Sequence, residues 1–247
     1  MTTLALFDDL PDAVRTTLVM LVDAAKANFQ DELVSIVLFG SGAEGRLQAA
    51  SDINLMVVLR QFHQERADGF REPMRMAHVA VKAVAMFITE PELPVAVGLF
   101  PVKFADIARR HRVLFGELPP ALKAIDPAAQ KRQLQEMLMN LALRLRYNYI
   151  IRGLRDEQIA AIIAHAAGPL RTAAATLLAL EGKPASSPKA ALEIVAGTLD
   201  GGPWAETLAN ISQAHETEDL PAGTPASTLF QIMAMTEAMR RRIGELT

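Results

Sequence analysis

The sequence contains no cysteine, and this absence excludes disulfide bonds and metal sites built from thiolates. Long apolar runs are also missing, since no stretch reaches the roughly 18 to 20 residues that a membrane-spanning helix needs. Segment 1–14 has no basic region before an apolar stretch, so no export signal is predicted. The formal net charge is only −3, which argues against general nucleic-acid binding. We therefore expect a cytoplasmic protein with no membrane segment.

What is present divides the 247 residues into two parts. In the first part, LVSIVLFG (33–40) and INLMVVL (53–59) are β-branched apolar runs typical of buried strands, and helical patterns flank them. Beyond residue 128 the strand pattern stops and amphipathic helices follow, separated by short Pro/Gly segments. The prediction is a mixed α/β domain over residues 1–120 and a helical bundle domain over residues 126–247.

Three further apolar segments of the first part are predicted to be strands. They are VAVKAVAMFIT (79–89), VGLFPVKFADI (97–107) and RRHRVLFGE (109–117). Lys82 is the only charged residue in the strand core 79–88, and Lys103 is the only one in the strand core 99–104. Each lysine is either a solvated strand-edge residue or a contact to a phosphate group.

The stretch VLFGSGAEGRLQAASDINLMVVL (37–59) holds the candidate site. A strand that ends in Gly40-Ser41 and turns into a short helix exposes free backbone N–H groups, to which Ser41 adds a hydroxyl. Asp52 and Asn54 lie two residues apart on the next strand, so their side chains point to one face. This layout fits metal-assisted nucleotide transfer. The alternative is a plain strand-to-helix turn, with Ser41 and Asp52 capping their neighbouring segments.

Gly-Ser, about ten residues and then Ser-Asp-x-x-Leu-x-Val resembles the nucleotidyltransferase superfamily that includes DNA polymerase beta and kanamycin nucleotidyltransferase. Within that superfamily, FPVKFADIARRHRVLFGE (100–117) and the helical tail resemble a bacterial subgroup with a C-terminal helical domain, and this resemblance spans most of the chain. The resemblance implies transfer of a nucleoside monophosphate from a nucleoside triphosphate to a hydroxyl of a small-molecule or protein acceptor. Three carboxylates would hold two Mg²⁺ ions.

Carried over to this sequence, the resemblance implies that Ser41 contacts phosphate, that Asp52 ligates metal, and that Asn54 occupies the second catalytic position. The further candidates for contact with the nucleotide or its phosphates are Gly40, Gly45, Arg46, Ser51 and Lys103.

The sequence departs from this pattern at the carboxylates. Asn54 is neutral, no third acid is found in the predicted strand cores, and Glu44 places an acid near the phosphate path. Two unit charges 4 Å apart interact by about 4 kcal/mol at an effective dielectric near 20, so each missing acid weakens a metal site considerably. We expect weak or absent Mg²⁺ binding and weak or lost catalysis. The alternatives are a nucleotide- or anion-binding regulatory module and an antitoxin-like partner of a separate toxin chain.

The second part of the chain contains a group of arginines and helices rich in apolar residues. A long amphipathic helix pattern covers residues 130–153. The arginines along it and just beyond it are Arg144, Arg146, Arg152 and Arg155. They form either a solvated face or the lining of a cleft against the first domain that attracts an anionic ligand. The apolar content of these helices is compatible with a homodimer.

Overall fold

The computed structural model describes residues 9–47, 52–200 and 202–246. The chain divides into two compact units, residues 1–126 and residues 127–247. The first unit combines a four-stranded sheet with helices, and the second is entirely helical in its described part. The predicted fold class, a mixed α/β domain followed by a helical domain, is confirmed at the level of its secondary structure.

The first unit alternates helices and strands. Its elements are α1 (Asp12–Phe29), β1 (Leu33–Phe39), β2 (Ile53–Leu59), α2 (Gln64–Val81), β3 (Ala83–Thr89), α3 (Glu92–Leu99), α4 (Pro101–Arg109) and β4 (His111–Phe115), with 3₁₀ turns at Gln30–Glu32, Gly40–Gly42 and Pro120–Lys123. The sheet order is β3-β2-β1-β4. Strand β1 is antiparallel to β2 and to β4, whereas β2 and β3 are parallel.

The sheet of the first unit is covered by helices on both faces. Because side chains alternate along a strand, Leu55 and Val57 belong to different layers from Met56 and Val58. Leu55 and Val57 pack in one core with α1 and α2, whereas Met56 and Val58 pack in the other core with α3 and α4. Asn54 has the same parity as Met56, so it belongs to the face that α3 and α4 cover.

The predicted strand over VGLFPVKFADI is wrong. Residues 92–99 and 101–109 form the helices α3 and α4, with Pro101 at the first position of α4. Proline favours that position because its fixed φ suits a helix and its missing N–H would have no partner there. Phe104 and Ile107, three residues apart, are both buried, which is the spacing of a helical face. Lys103 therefore lies on a helix and not on a strand.

The second unit is built around one central helix. Its elements are α5 (Pro127–Arg152), α6 (Asp156–Leu180), α7 (Pro188–Gly197), α8 (Trp204–Thr217) and α9 (Pro225–Glu245). Helix α6 contacts each of the other four helices. Among the helices in the described part of the chain, α6 alone is long and apolar enough to cross a membrane, yet 61% of its most apolar window is buried in the protein. That burial is typical of the core helix of a helical bundle.

Candidate functional site

The turn after β1 depends on two glycines. Gly40 has φ +75° and Gly45 has φ +67°, both in the left-handed region that glycine adopts without strain. The Gly40 N–H donates to the carbonyl oxygen of Arg110 at 3.1 Å, which ties the turn to the residue before β4. A Cβ atom at position 45 would lie 2.3 Å from Oδ2 of Asp9. Ser41 lies between these glycines with a half-buried side chain.

The residues of β2 come close to this turn. Asn54 is the register partner of Phe39, the last residue of β1, and a Cβ atom at position 40 would lie 3.9 Å from Nδ2 of Asn54. The Asn54 amide donates to the backbone carbonyl of Asp52 at 3.3 Å. The Asp52 side chain is exposed and makes no ion pair with any residue that the structure describes. The structure thus places the Gly40–Ser41 turn and the Asp52–Asn54 segment at the same end of the sheet.

The strand beside Asn54 supplies no acid. Val84 on β3 is the register partner of Asn54 and is 43% exposed, and the sequence of β3 is AVAMFIT. Lys82 lies just before β3 with φ +52°, and its carbonyl accepts the N–H of Ile53 at 3.2 Å. Within residues 9–47, 52–200 and 202–246, no three acidic or histidine side chains lie close enough together to hold a metal ion.

The other predicted site residues differ in how they are placed. Arg46 is exposed, directly follows the turn, and donates its backbone N–H to the carbonyl of Ser41 at 3.0 Å. Lys103 is exposed on α4. Ser51 lies outside the described residues.

Two arginines that sequence reasoning missed hold the turn in place. Arg112 on β4 donates to the carbonyl oxygen of Ala43 and to both carboxylate oxygens of Asp9. Arg110 donates to Asp106 on α4 and, at 3.3 Å, to Oε2 of Glu44 within the turn. The sequence signal for these two arginines is the basic segment RRHRV (109–113), because it begins a segment that is predicted to be a strand of the sheet.

These ion pairs change the electrostatics that the sequence suggested. Glu44 is not a free negative charge beside the turn, since Arg110 pairs with it and with Asp106. Burial lowers the pKa of Arg110, but the hydrogen bonds to Asp106 and Glu44 outweigh burial and raise that pKa overall. The hydrogen bond from Arg112 holds the pKa of Asp9 below its ordinary value. Arginines therefore pair with the acids Asp9, Glu44 and Asp106 around the turn, whereas Asp52 forms no ion pair with any residue that the structure describes.

Comparison with known proteins supports the fold. No family model matches the chain, and no curated protein sequence matches it. Among solved structures, spectinomycin adenyltransferase AAD(9) from Enterococcus faecialis, determined with ATP and spectinomycin, matches with a TM-score of 0.59 and 14% identity. The match covers 93% of this chain and 99% of the adenyltransferase. At that identity the match shows a shared fold, and it confirms the resemblance to nucleotidyltransferases at that level.

A second structural match is more distant. A nucleotidyltransferase-like protein from Exiguobacterium sibiricum matches with a TM-score of 0.36 and 11% identity, over 92% of this chain and 74% of that protein. A similarity of this size does not establish a shared fold.

Proposed function

We propose that the first unit binds a nucleoside triphosphate at the turn from Gly40 to Gly45, and that transfer of the nucleoside monophosphate to a hydroxyl acceptor is slow or absent. One observation carries the proposal: the Gly40–Ser41 turn lies against the Asp52–Asn54 segment, in a chain that shares its fold with an adenyltransferase. The turn suits a phosphate, and the carboxylates that transfer requires are incomplete.

The phosphate side of the proposal rests on the shape of the turn. Glycine at position 40 leaves the backbone open to close approach, and the Ser41 hydroxyl is a donor beside it, whereas the Asp9 carboxylate fills the space beside Gly45. The exposed Arg46 offers a cation one residue beyond. Because Arg110 neutralises Glu44, the acid within the turn repels an anion less than the sequence suggests. Ser51 and Lys103 stay candidates for further phosphate contacts.

The metal side of the proposal rests on charge. Among the described residues at the start of β2 and in the neighbouring strand β3, Asp52 is the one acid, and Asn54 and Val84 are neutral. Mg²⁺ gives up its hydration shell reluctantly and needs anionic ligands to compensate. The residues present do not fit a two-metal site, and at most one weakly held Mg²⁺ is compatible with Asp52. This deficit also favours the second candidate function, a regulatory module that binds nucleotide without turning it over.

The identity of the ligands follows by analogy with the structural neighbour. That adenyltransferase was determined with ATP and spectinomycin, so ATP and a small-molecule acceptor are the first ligands to test. A nucleoside triphosphate ligand also agrees with the cytoplasmic location that the sequence predicts.

Calorimetry on the full chain tests the proposal, using ATP and GTP with and without Mg²⁺. We expect a nucleotide to bind without Mg²⁺, with little gain when Mg²⁺ is added. The Ser41→Ala variant loses a donor to a charged phosphate and should bind about tenfold more weakly. Ser227→Ala, at the start of α9, is the matched control and should bind as the wild type does.

Two outcomes contradict the proposal. Failure of both nucleotides to bind would exclude the nucleotide site. Binding that requires Mg²⁺, together with turnover of ATP in the presence of hydroxyl acceptors, would show a working transferase and overturn the loss of catalysis.

A further inference from the structure

The second unit contains a cavity of about 370 Å³ between α5 and α6. Its polar lining consists of Arg144, Asn148, Arg152, Gln158 and His165. Ligand sites are typically cavities of roughly 300–1,000 Å³ with an apolar surface and a few placed polar groups, so this cavity lies within their size range. It is formed by residues of the helical unit alone.

The charge of the lining has one sign. Arg144, Asn148 and Arg152 are spaced by four residues and therefore share a face of α5. Neither arginine forms an ion pair with any residue in the described part of the chain, and the lining includes no Asp or Glu. Asp156, four residues beyond Arg152, is used elsewhere: it accepts the backbone N–H of Gly223 at 2.7 Å. The two guanidinium groups are thus available to an anion.

Gln158 gives a second, independent indication of a ligand. Its Oε1 atom is buried and has no hydrogen-bond partner among the residues that the structure describes. A buried amide oxygen without a donor costs stability, and a half-turn of the amide exchanges the positions of its oxygen and nitrogen. Because Gln158 lines the cavity, a rotation of its side chain would bring this oxygen to the cavity surface, where a ligand hydroxyl can donate to it.

The apolar part of the lining favours a ligand that has an organic group as well as a charge. Leu141, Leu145 and Ile162 give the cavity an apolar surface, which a bare inorganic ion would leave uncovered. We propose that this cavity binds a small organic anion, a phosphate monoester the size of a sugar phosphate, with Arg144 and Arg152 on the phosphate and Gln158 on a hydroxyl of the organic group. This site goes beyond the proposed function, because it does not involve the turn of the first unit.

Calorimetry on the full chain tests the site with glucose 6-phosphate as the probe, glucose as the uncharged comparison and inorganic phosphate as the comparison without an organic group. We expect glucose 6-phosphate to bind more tightly than inorganic phosphate, and glucose to show no binding. The double variant Arg144→Gln/Arg152→Gln should weaken binding by at least about tenfold, since it removes two charge-assisted contacts. Arg146→Gln is the matched control, because Arg146 is exposed on the same helix and lies outside the lining.

Several results would overturn this site. They are the absence of glucose 6-phosphate binding up to roughly 10 mM, an equal loss in Arg146→Gln, and unchanged binding in the double variant with retained helicity by circular dichroism. A Ser41→Ala/Asp52→Asn variant separates the two proposals. If it abolishes glucose 6-phosphate binding, the phosphate occupies the turn and the cavity proposal fails. If glucose 6-phosphate binds to the wild type and ATP does not, the nucleotide proposal alone fails.

Discussion

Asn54 is the residue at which the proposed nucleotide site departs from a metal site, because it places a neutral amide where a second carboxylate would bind the ion. It lies two residues after Asp52, so Asn54→Asp adds a second carboxylate where the fold brings β2 to the Gly40–Ser41 turn. Coulomb attraction to a cation then rises, although dehydration of the ion offsets most of the gain. We expect Mn²⁺ affinity to increase by about tenfold or more in calorimetry. Asp52→Asn/Asn54→Asp keeps a single acid and should return to the wild-type affinity. Equal affinity of wild type and Asn54→Asp would show that carboxylate number does not limit the site.

Gly45 is required by both its backbone angle and its surroundings. A side chain at φ +67° is strained, and its Cβ atom would displace the Asp9 carboxylate that Arg112 holds. Gly45→Ala should lower the free energy of unfolding by about 1–2 kcal/mol, measured by urea denaturation. Gly98 on α3 is the control, because a Cβ atom added there would have no atom within 4 Å, and Gly98→Ala should raise stability by about 0.5–1 kcal/mol. A neutral Gly45→Ala would mean that the turn relaxes without strain.

The Asp9–Arg112 ion pair makes the free energy of unfolding decrease as the pH falls. The hydrogen bond from Arg112 lowers the pKa of Asp9, so the pair stabilises the fold above the unfolded-state pKa near 3.9 and this contribution is lost as the pH falls through the lower folded-state pKa. Because Asp9 is half exposed, the contribution is only about 0.5 kcal/mol. Asp9→Asn should be less stable than wild type at pH 7 and should converge with it towards pH 3 in urea denaturation. A difference that grows as the pH falls would contradict this assignment.

Helix α4 and the turn after β1 are joined through Arg110. Its side chain is 21% exposed and contacts Asp106 on α4 and Glu44 in the turn. Among the described residues, its loss leaves the partly buried Glu44 without an ion-pair partner and leaves Asp106 with the longer contact to Arg109 alone. The cost lies between that of a surface pair and that of a buried pair, and we expect Arg110→Gln to destabilise the protein by about 2 kcal/mol in urea denaturation. Arg109→Gln removes a contact of 3.5 Å to the same Asp106 and should cost less than about 1 kcal/mol. Similar effects in the two variants would show that Glu44 does not depend on Arg110.

The sequence predicts best those elements whose signal lies within one short segment of the chain. Strands β1 and β2 and the turn between them were recognisable because β-branched runs, glycines and Asp52 lie within 27 residues of sequence, 33–59. The sequence predicts a strand over residues 97–107, which are the end of α3 and most of α4, because this short apolar segment fits either period, and packing against the sheet decides the outcome. The links from Arg110 to Glu44 and from Arg112 to Asp9 span 66 and 103 residues, so no local pattern could reveal them.

The protein has two kinds of apolar core, and different polar groups lie outside each of them. The first unit buries its apolar residues on both faces of a sheet, and it leaves polar groups at the strand ends near the turn. The second unit buries α6 among its neighbours and leaves arginines of α5 around a cavity. Although the net charge is −3, basic residues occur at two places: Arg46 directly follows the turn, and Arg144 and Arg152 line the cavity of the helical unit. The net charge of the whole chain alone could not predict the two anion sites that we propose.

The second unit has the packing of an independent folding unit. Helix α6 contacts α5, α7, α8 and α9, and α9 also contacts α5 and α8, so the helical core is closed by residues of the unit itself. Buried side chains such as Leu134, Ile163, Leu177 and Met235 supply its apolar surface. We expect a fragment of residues 127–247 to be helical by far-ultraviolet circular dichroism and to unfold cooperatively on heating. A fragment of residues 127–220, which lacks α9 and its buried face, should lose that cooperativity, because it exposes the apolar surfaces of α5 and α6. A non-cooperative transition in the longer fragment would show that this core needs the first unit to form.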